Sequence, residues 1–296
     1  MQPNIMKPKT HPTPCTRLIT GLQEIISAYD ACIFDIWGVL HNGQQVFPEA
    51  LETLNQLKAR GTPVALLSNA PRLASQVAEQ LVTLGIPNNL WSHLITSGGM
   101  AHTLLADWIE NVGPHCFFMG QPAHKLVLES FNLIYVSDPR EADFIYNSGP
   151  DDIVLNLHQY QQALTQARDM NLKMFCTNPD VAVMVGKTRT LCAGTLAQFY
   201  TNLGGDVFYT GKPHLATYTH LFQRTGFSPK RTLCVGDSMA HDIQGGFTAG
   251  CDTALVFTGI HDGAFSFQAD ISASLQGLVE TYDVTPTYAM PALKWA

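Results

Sequence analysis

Ala31-Cys32-Ile33-Phe34-Asp35-Ile36-Trp37-Gly38-Val39-Leu40 is the stretch from which the rest of the chain is read. Four apolar residues run straight into a carboxylate, and a glycine follows three positions later. A short unbroken apolar run suits a strand buried on both faces of a parallel sheet, and such sheets bind ligands beyond the carboxyl ends of their strands. Asp35 stands at that end, where many α/β enzymes present a nucleophile. Taken alone, an Asp in this position equally caps a turn or a helix.

Outward from this segment, β-rich runs alternate with helix-period segments. Strands are expected at Cys32–Trp37, Pro63–Ser68, His93–Thr96, Val207–Tyr209, Thr232–Val235 and Thr253–Phe257, with helices at Glu49–Arg60, Arg72–Leu84, Leu215–Arg224 and Met239–Ala249. The alternation predicts an α/β fold with a Rossmann-like parallel sheet covered by helices on both faces. The middle third has its own series, with strands expected at Cys116–Met119, Leu133–Val136, Phe144–Tyr146 and Met174–Cys176, and helices at Leu126–Phe131, Leu155–Arg168 and Leu191–Leu203. About a hundred residues suffice for an independent core. Residues 17–97 and 206–283 therefore read as one domain and 98–205 as an inserted α/β domain, although one sheet of roughly ten strands gives the same pattern. Residues 1–16, with Pro3, Pro8, Pro12 and Pro14, read as a flexible tail, and residues 284–296 as a C-terminal tail.

Composition narrows the function classes. The 296 residues are 46% hydrophobic and 14% charged, with a formal net charge of −7 and no basic cluster, which argues against a nucleic-acid partner. No apolar run reaches the length of a membrane span, and the first twenty residues lack the apolar centre of a signal peptide. Seven cysteines, an odd number with no Cys-x-x-Cys pair, read as reduced thiols of a cytoplasmic protein. Gly186-Lys187-Thr188 lacks the earlier glycine of a phosphate-binding P-loop, since Val181 stands there, and no Gly-x-Ser-x-Gly elbow is present.

Three further stretches share the logic of the first. Leu66-Leu67-Ser68-Asn69-Ala70 ends an apolar run in a hydroxyl, a donor suited to phosphoryl oxygens but also a helix N-cap. Thr210-Gly211-Lys212-Pro213 supplies a lysine that can hold a carboxylate near a phosphate against like-charge repulsion. Cys234-Val235-Gly236-Asp237-Ser238-Met239-Ala240-His241-Asp242 ends a strand in Gly-Asp, with a second Asp five residues on. Paired carboxylates at such a turn suit a hard, oxygen-loving ion such as Mg²⁺.

In this order, the four stretches resemble the motifs of the haloacid dehalogenase-like (HAD) hydrolases. The Gly38-Val39-Leu40-x-x-Gly43-x₄-Pro48-x-Ala50 pattern is similar to the class IIA branch, which includes 4-nitrophenylphosphatase-like, nucleotide and pyridoxal phosphate phosphatases. The resemblance implies an Asp35 nucleophile, phosphate contacts from Ser68, Asn69 and Lys212, and Mg²⁺ held by Asp35, the Trp37 carbonyl, Asp237 and Asp242. It also implies that the inserted domain is a cap, with Asn178, Asp180 and Thr195 as specificity residues and pairing of two copies through the cap. Asn178-Pro179-Asp180 reads equally as a plain turn.

One position departs from the family pattern. Where the family has a second Asp that protonates the leaving alcohol, this chain has Trp37, whose indole N–H is no acid. The expectation is a phosphatase acting on a small phosphorylated metabolite, slow on alkyl phosphates unless His41 or a cap residue supplies the proton. Two alternatives stay open: an impaired HAD domain that binds a phosphorylated ligand or partner, and a metal-free dehalogenase, in which an aromatic residue commonly stands two positions after the nucleophile.

Overall fold

The strands that lead into Asp35, Ser68 and Asp237 are runs of mostly apolar residues buried on both faces, and this places them inside a parallel sheet. The computed structural model describes residues 16–151, 157–185, 188–264 and 271–295. The expected N-terminal tail, apart from Thr16, lies outside the described residues, as do Cys15 and the start of the helix expected from Leu155.

The chain opens with β1 (Arg17–Leu18), β2 (Ala31–Phe34), α1 (Pro48–Arg60), β3 (Val64–Ser68), α2 (Ala74–Leu84), β4 (His93–Thr96) and α3 (Ser97–Val112). Next come β5 (His115–Met119), β6 (Ile134–Val136), β7 (Phe144–Asn147), α4 (Leu157–Asp169), β8 (Lys173–Cys176), β9 (Ala182–Val185), β10 (Thr188–Leu191), α5 (Ala193–Asn202) and β11 (Asp206–Tyr209). The last part holds α6 (Leu215–Thr225), β12 (Thr232–Gly236), α7 (Gln244–Thr248), β13 (Asp252–Val256), α8 (Ile271–Tyr282) and β14 (Tyr288–Met290).

Two parallel sheets result. The first has the order β1-β14-β13-β12-β2-β3-β4, and the second β11-β8-β7-β5-β6. The fold is thus α/β with a Rossmann-like parallel core, and the single ten-strand sheet is excluded. β9 and β10 form a separate antiparallel hairpin. Every residue of β2 and β3 is buried, as befits the interior of the first sheet. On α1, Ala50, Leu54 and Leu57 recur at helical spacing and are buried, Pro48 opens the first turn, and Gly61 closes it with a φ of 75°. Leu54 and Leu57 pack in one core cluster with Phe34 and Leu66, which locks α1 onto β2 and β3.

Three expectations are corrected. Val207–Tyr209 does not join the first sheet: β11 pairs with β8, Val207 opposite Met174, so the second sheet extends to Tyr209. Periodicity alone cannot say which sheet a strand joins. The segment expected as a C-terminal tail contributes β14, which sits between β1 and β13, and Met290 and Leu293 are buried. Its two prolines flank this strand without interrupting it. Met239–Ala249 is not one regular helix but a π-helical turn (Met239–Ile243) that leads into α7.

The chain leaves the first sheet at Thr96–Ser97 and returns at Thr210. The two crossings are stapled together: Ser97 Oγ donates to the Thr210 carbonyl at 2.6 Å, and Thr210 Oγ1 donates to the Ser97 carbonyl at 3.2 Å. This staple brings Lys212, two residues beyond Thr210, to Asp35 after β2 and to Asp242 beyond β12.

Candidate active site

Asp35, Ser68 and Asp237 follow or end β2, β3 and β12, three neighbouring strands, so parallel pairing alone delivers them to one edge of the sheet. Here lies a cavity of about 760 Å³, lined by both sheet units and by the β9–β10 hairpin. Asp35, Ser68, Lys212, Asp237 and Asp242 all line it and are almost fully buried.

On its floor, Lys212 Nζ donates to Asp35 Oδ1 at 2.6 Å and to Asp242 Oδ1 at 2.7 Å. Carboxylate oxygens of Asp35, Asp237 and Asp242 lie within 4.8 Å of one another. Asp237 Oδ2 accepts the Ile260 N–H at 2.7 Å, and Asp242 Oδ2 accepts the Ser238 N–H at 3.1 Å. The π-helical turn swings Asp242 back under the strand end, where a Cβ on residue 236 would overlap its carboxyl group; only glycine fits there.

Three carboxylates face one ammonium. Burial opposes the charge on Lys212, yet Asp242 and Asp35 outweigh it and hold the ammonium above its usual range. The acids fare worse: burial pushes Asp35 up to about 7, with Lys212 pulling it back, and burial followed by repulsion from Asp35 and Asp242 pushes Asp237 well up. The lysine gains two partners while the acids share one, which explains why the two sides differ. Three clustered carboxyl groups that share one ammonium and resist ionising without further positive charge fit a divalent, oxygen-loving cation, so the residues present suit Mg²⁺.

The structure separates the remaining expected residues by task. Ser68 Oγ lines the cavity and accepts the Ala70 N–H at 3.2 Å. Asn69 lines the cavity beside Ser68, and its side-chain amide is engaged within the protein. Its amide donates to Asp180 Oδ1 at 2.8 Å and to the Lys212 carbonyl at 3.1 Å, while its Oδ1 accepts the Lys212 N–H at 2.7 Å. It is a strut that fixes Lys212 and ties it to the loop after β8. Asn178 and Asp180 line the cavity, with Asn178 Oδ1 accepting the Asp180 N–H in a local turn. Thr195 is not among the lining residues; its hydroxyl donates to the Val181 carbonyl at 2.7 Å and braces that loop.

His41 is not the missing acid. It is 1% exposed, lies away from the cavity lining, and uses Nδ1 to accept the Gly43 N–H at 2.8 Å. Burial, reinforced by the Arg72 charge, holds it down at about 4, so it is neutral at ordinary pH. Trp37 does line the cavity. Its indole N–H donates to the Met184 carbonyl on β9, and its ring meets the edge of His41 at 5.0 Å between centroids.

Sequence reasoning missed two features. His241 Nδ1 lies 3.1 Å from Asp180 Oδ1 and 3.0 Å from Ser238 Oγ, and Arg72 lines the cavity four residues beyond Ser68. The signal was present, since both stand inside or beside motifs already singled out.

The family model described as "Haloacid dehalogenase-like hydrolase" matches residues 32–134, and a second, HAD-hydrolase-like, matches 209–288. Between them they take in β2, β3, β12, Asp35, Lys212, Asp237 and Asp242. The chain belongs to the haloacid dehalogenase-like hydrolases. Among relatives within this superfamily, the 5'-nucleotidase YutF of Bacillus subtilis is 26% identical over 79% of this chain and 90% of its own length. Chronophin of Mus musculus is 27% identical over 91% of this chain and 95% of its own. A solved haloacid dehalogenase-like hydrolase from Brucella suis superposes with a TM-score of 0.80 at 28% identity, covering 93% of this chain and all of that one. The HAD fold thus extends through the middle third, which neither family model covers in full.

Proposed function

We infer that the chain is a phosphomonoester hydrolase that passes the phosphoryl group through Asp35. One observation carries this reading: a buried carboxylate at the end of β2, clamped by Lys212 and joined by Asp237 and Asp242 within 4.8 Å. Relatives named as a nucleotidase and as glycerol-3-phosphate phosphatase support the reaction class. Three carboxyl groups clustered within 4.8 Å favour metal-assisted phosphoryl transfer over metal-free dehalogenase chemistry.

In this reading Asp35 attacks phosphorus in line, the bond to the leaving oxygen breaks, and water then attacks the aspartyl-phosphate to release inorganic phosphate. Asp35, Asp237, Asp242 and the Trp37 carbonyl would hold Mg²⁺, which offsets phosphoryl charge when bound. Lys212 keeps Asp35 oriented and compensates its charge as the dianionic phosphate approaches. Ser68 offers its hydroxyl hydrogen to a phosphoryl oxygen. The second sheet unit and its hairpin act as the cap that excludes water.

No carboxylic acid stands at position 37, and positioned proton transfer is worth about 10²–10⁴-fold in rate. The substrate that suits this site is a small phosphorylated metabolite whose leaving group departs without help, such as an aryl, enol or acyl phosphate. Beryllium fluoride with Mg²⁺ tests the assignment. Trapping on wild type and its loss in Asp35→Asn are the expected results. Failure to trap, with phosphate still bound, would leave a phosphate-binding module in which Trp37 has displaced turnover.

A further inference from the structure

The cavity lining carries groups of opposite charge on different elements. On the floor, three carboxylates exceed one ammonium. The wall carries Arg72, on the loop after β3, and Arg189, on β10 of the hairpin. Among the described residues neither guanidinium has a carboxylate partner. Arg72 donates Nη2 to Gln80 Oε1 at 2.5 Å, and its backbone carbonyl accepts the Thr96 hydroxyl. Burial alone lowers the basicity of the Arg72 guanidinium; no acid offsets the cost. Its field reaches His124, another lining residue and one from the second sheet unit.

Taking a guanidinium partly out of water without an anion is unfavourable, and a protein keeps one there when an anion arrives with the ligand. The planar fork of arginine fits carboxylate and phosphate oxygens two at a time. Lys212, Ser68 and the acidic triad already attend the transferring phosphate, which leaves the Arg72 cation for a second anion. A cavity of about 760 Å³ leaves room for a ligand that reaches from the floor to this wall.

We propose that the substrate carries, remote from its scissile phosphate, a second anionic group bound by Arg72, with Arg189 lining the same cavity from the hairpin. This rests on the phosphatase reading above and specifies its substrate class: phosphomonoesters of an acid, whether the second group is a carboxylate or another phosphate.

Non-hydrolysable probes separate binding from turnover. In the presence of Mg²⁺, titration calorimetry compares phenylphosphonate with para-carboxyphenylphosphonate and para-phenylene bisphosphonate. Wild type is expected to bind one or both acidic probes roughly tenfold to hundredfold tighter than phenylphosphonate, the range of a charge-assisted hydrogen-bonded pair. The tighter of the two identifies the group. Arg72→Gln should erase that preference, and Arg72→Lys should keep part of it. Equal binding of all three probes overturns the proposal. So does an Arg72→Gln variant that weakens all three in parallel, which would place Arg72 on the transferring phosphate or in the fold. Turnover of p-nitrophenyl phosphate by the same wild-type preparation judges the phosphatase reading separately.

Discussion

The indole N–H of Trp37 donates to the main-chain carbonyl of Met184, so the residue at the family's acid position ties the first sheet to the β9–β10 hairpin. The ring is seated by His41 on one side and by Gly43, where a Cβ would run into the indole. Trp37 therefore holds the roof of the cavity where the family pattern has a proton donor. Trp37→Asp should restore the donor and raise the ratio of alkyl phosphate to p-nitrophenyl phosphate turnover by about 10²-fold. Trp37→Phe, which lacks both the N–H and an acid, should not raise it. Steady-state kinetics on the two esters checks this, and a wild type that hydrolyses both equally well would sink it.

Much of this site was legible in the sequence because strand-end chemistry is local. A buried apolar run places Asp35, Ser68 and Asp237 at the carboxyl edge whatever the rest of the chain does. The bracing role of Asn69 was not legible, because its partners Asp180 and Lys212 lie more than a hundred residues away. Thr195 was misplaced for the same reason: which side of a loop a hydroxyl faces is a tertiary fact. The strand at Tyr288–Met290 hid behind two prolines that mark its ends.

Asn69 shows what the tertiary layer contributes. All three of its hydrogen bonds stay within the protein, and two of them grip Lys212. Asn69→Ala should leave buried groups unpaired, destabilising the fold by about 2 kcal/mol. Because Lys212 loses its brace, kcat should fall by about tenfold or more with KM changing less. Thermal unfolding alongside kinetics separates the two effects, and unchanged kcat would show that Lys212 is held by other means.

Among the described residues, Lys212 is the one cation bonded to the three-carboxylate cluster. Lys212→Met should remove about 3 kcal/mol of stability in chelator, because it strands Asp35 and Asp242 without their partner. Mg²⁺ should then recover more of the melting temperature in the variant than it adds to wild type, since it becomes the only counter-charge. Melts in chelator and in Mg²⁺ test this. An equal metal response in both proteins would mean that the carboxylates do not share one ion.

His41 sets a stability term that depends on pH. Its folded-state value of about 4 lies below the ordinary 6.5, first through burial and then through Arg72. Above pH 6.5 both folded and unfolded chains hold it neutral, and it contributes no slope. As pH falls below that, the unfolded chain takes up the proton and the folded chain does not, so stability drops with acidification until about pH 4. The full span amounts to about 3 kcal/mol. His41→Asn keeps an acceptor for the Gly43 N–H but cannot titrate, so its stability should fall less steeply across this window, by about 1.4 kcal/mol per pH unit. His124, His214 and His261, also held down by burial, keep their own slopes in both proteins. The difference between denaturation curves at pH 7 and pH 5 isolates His41, and parallel curves would mean that it is protonated in the fold after all.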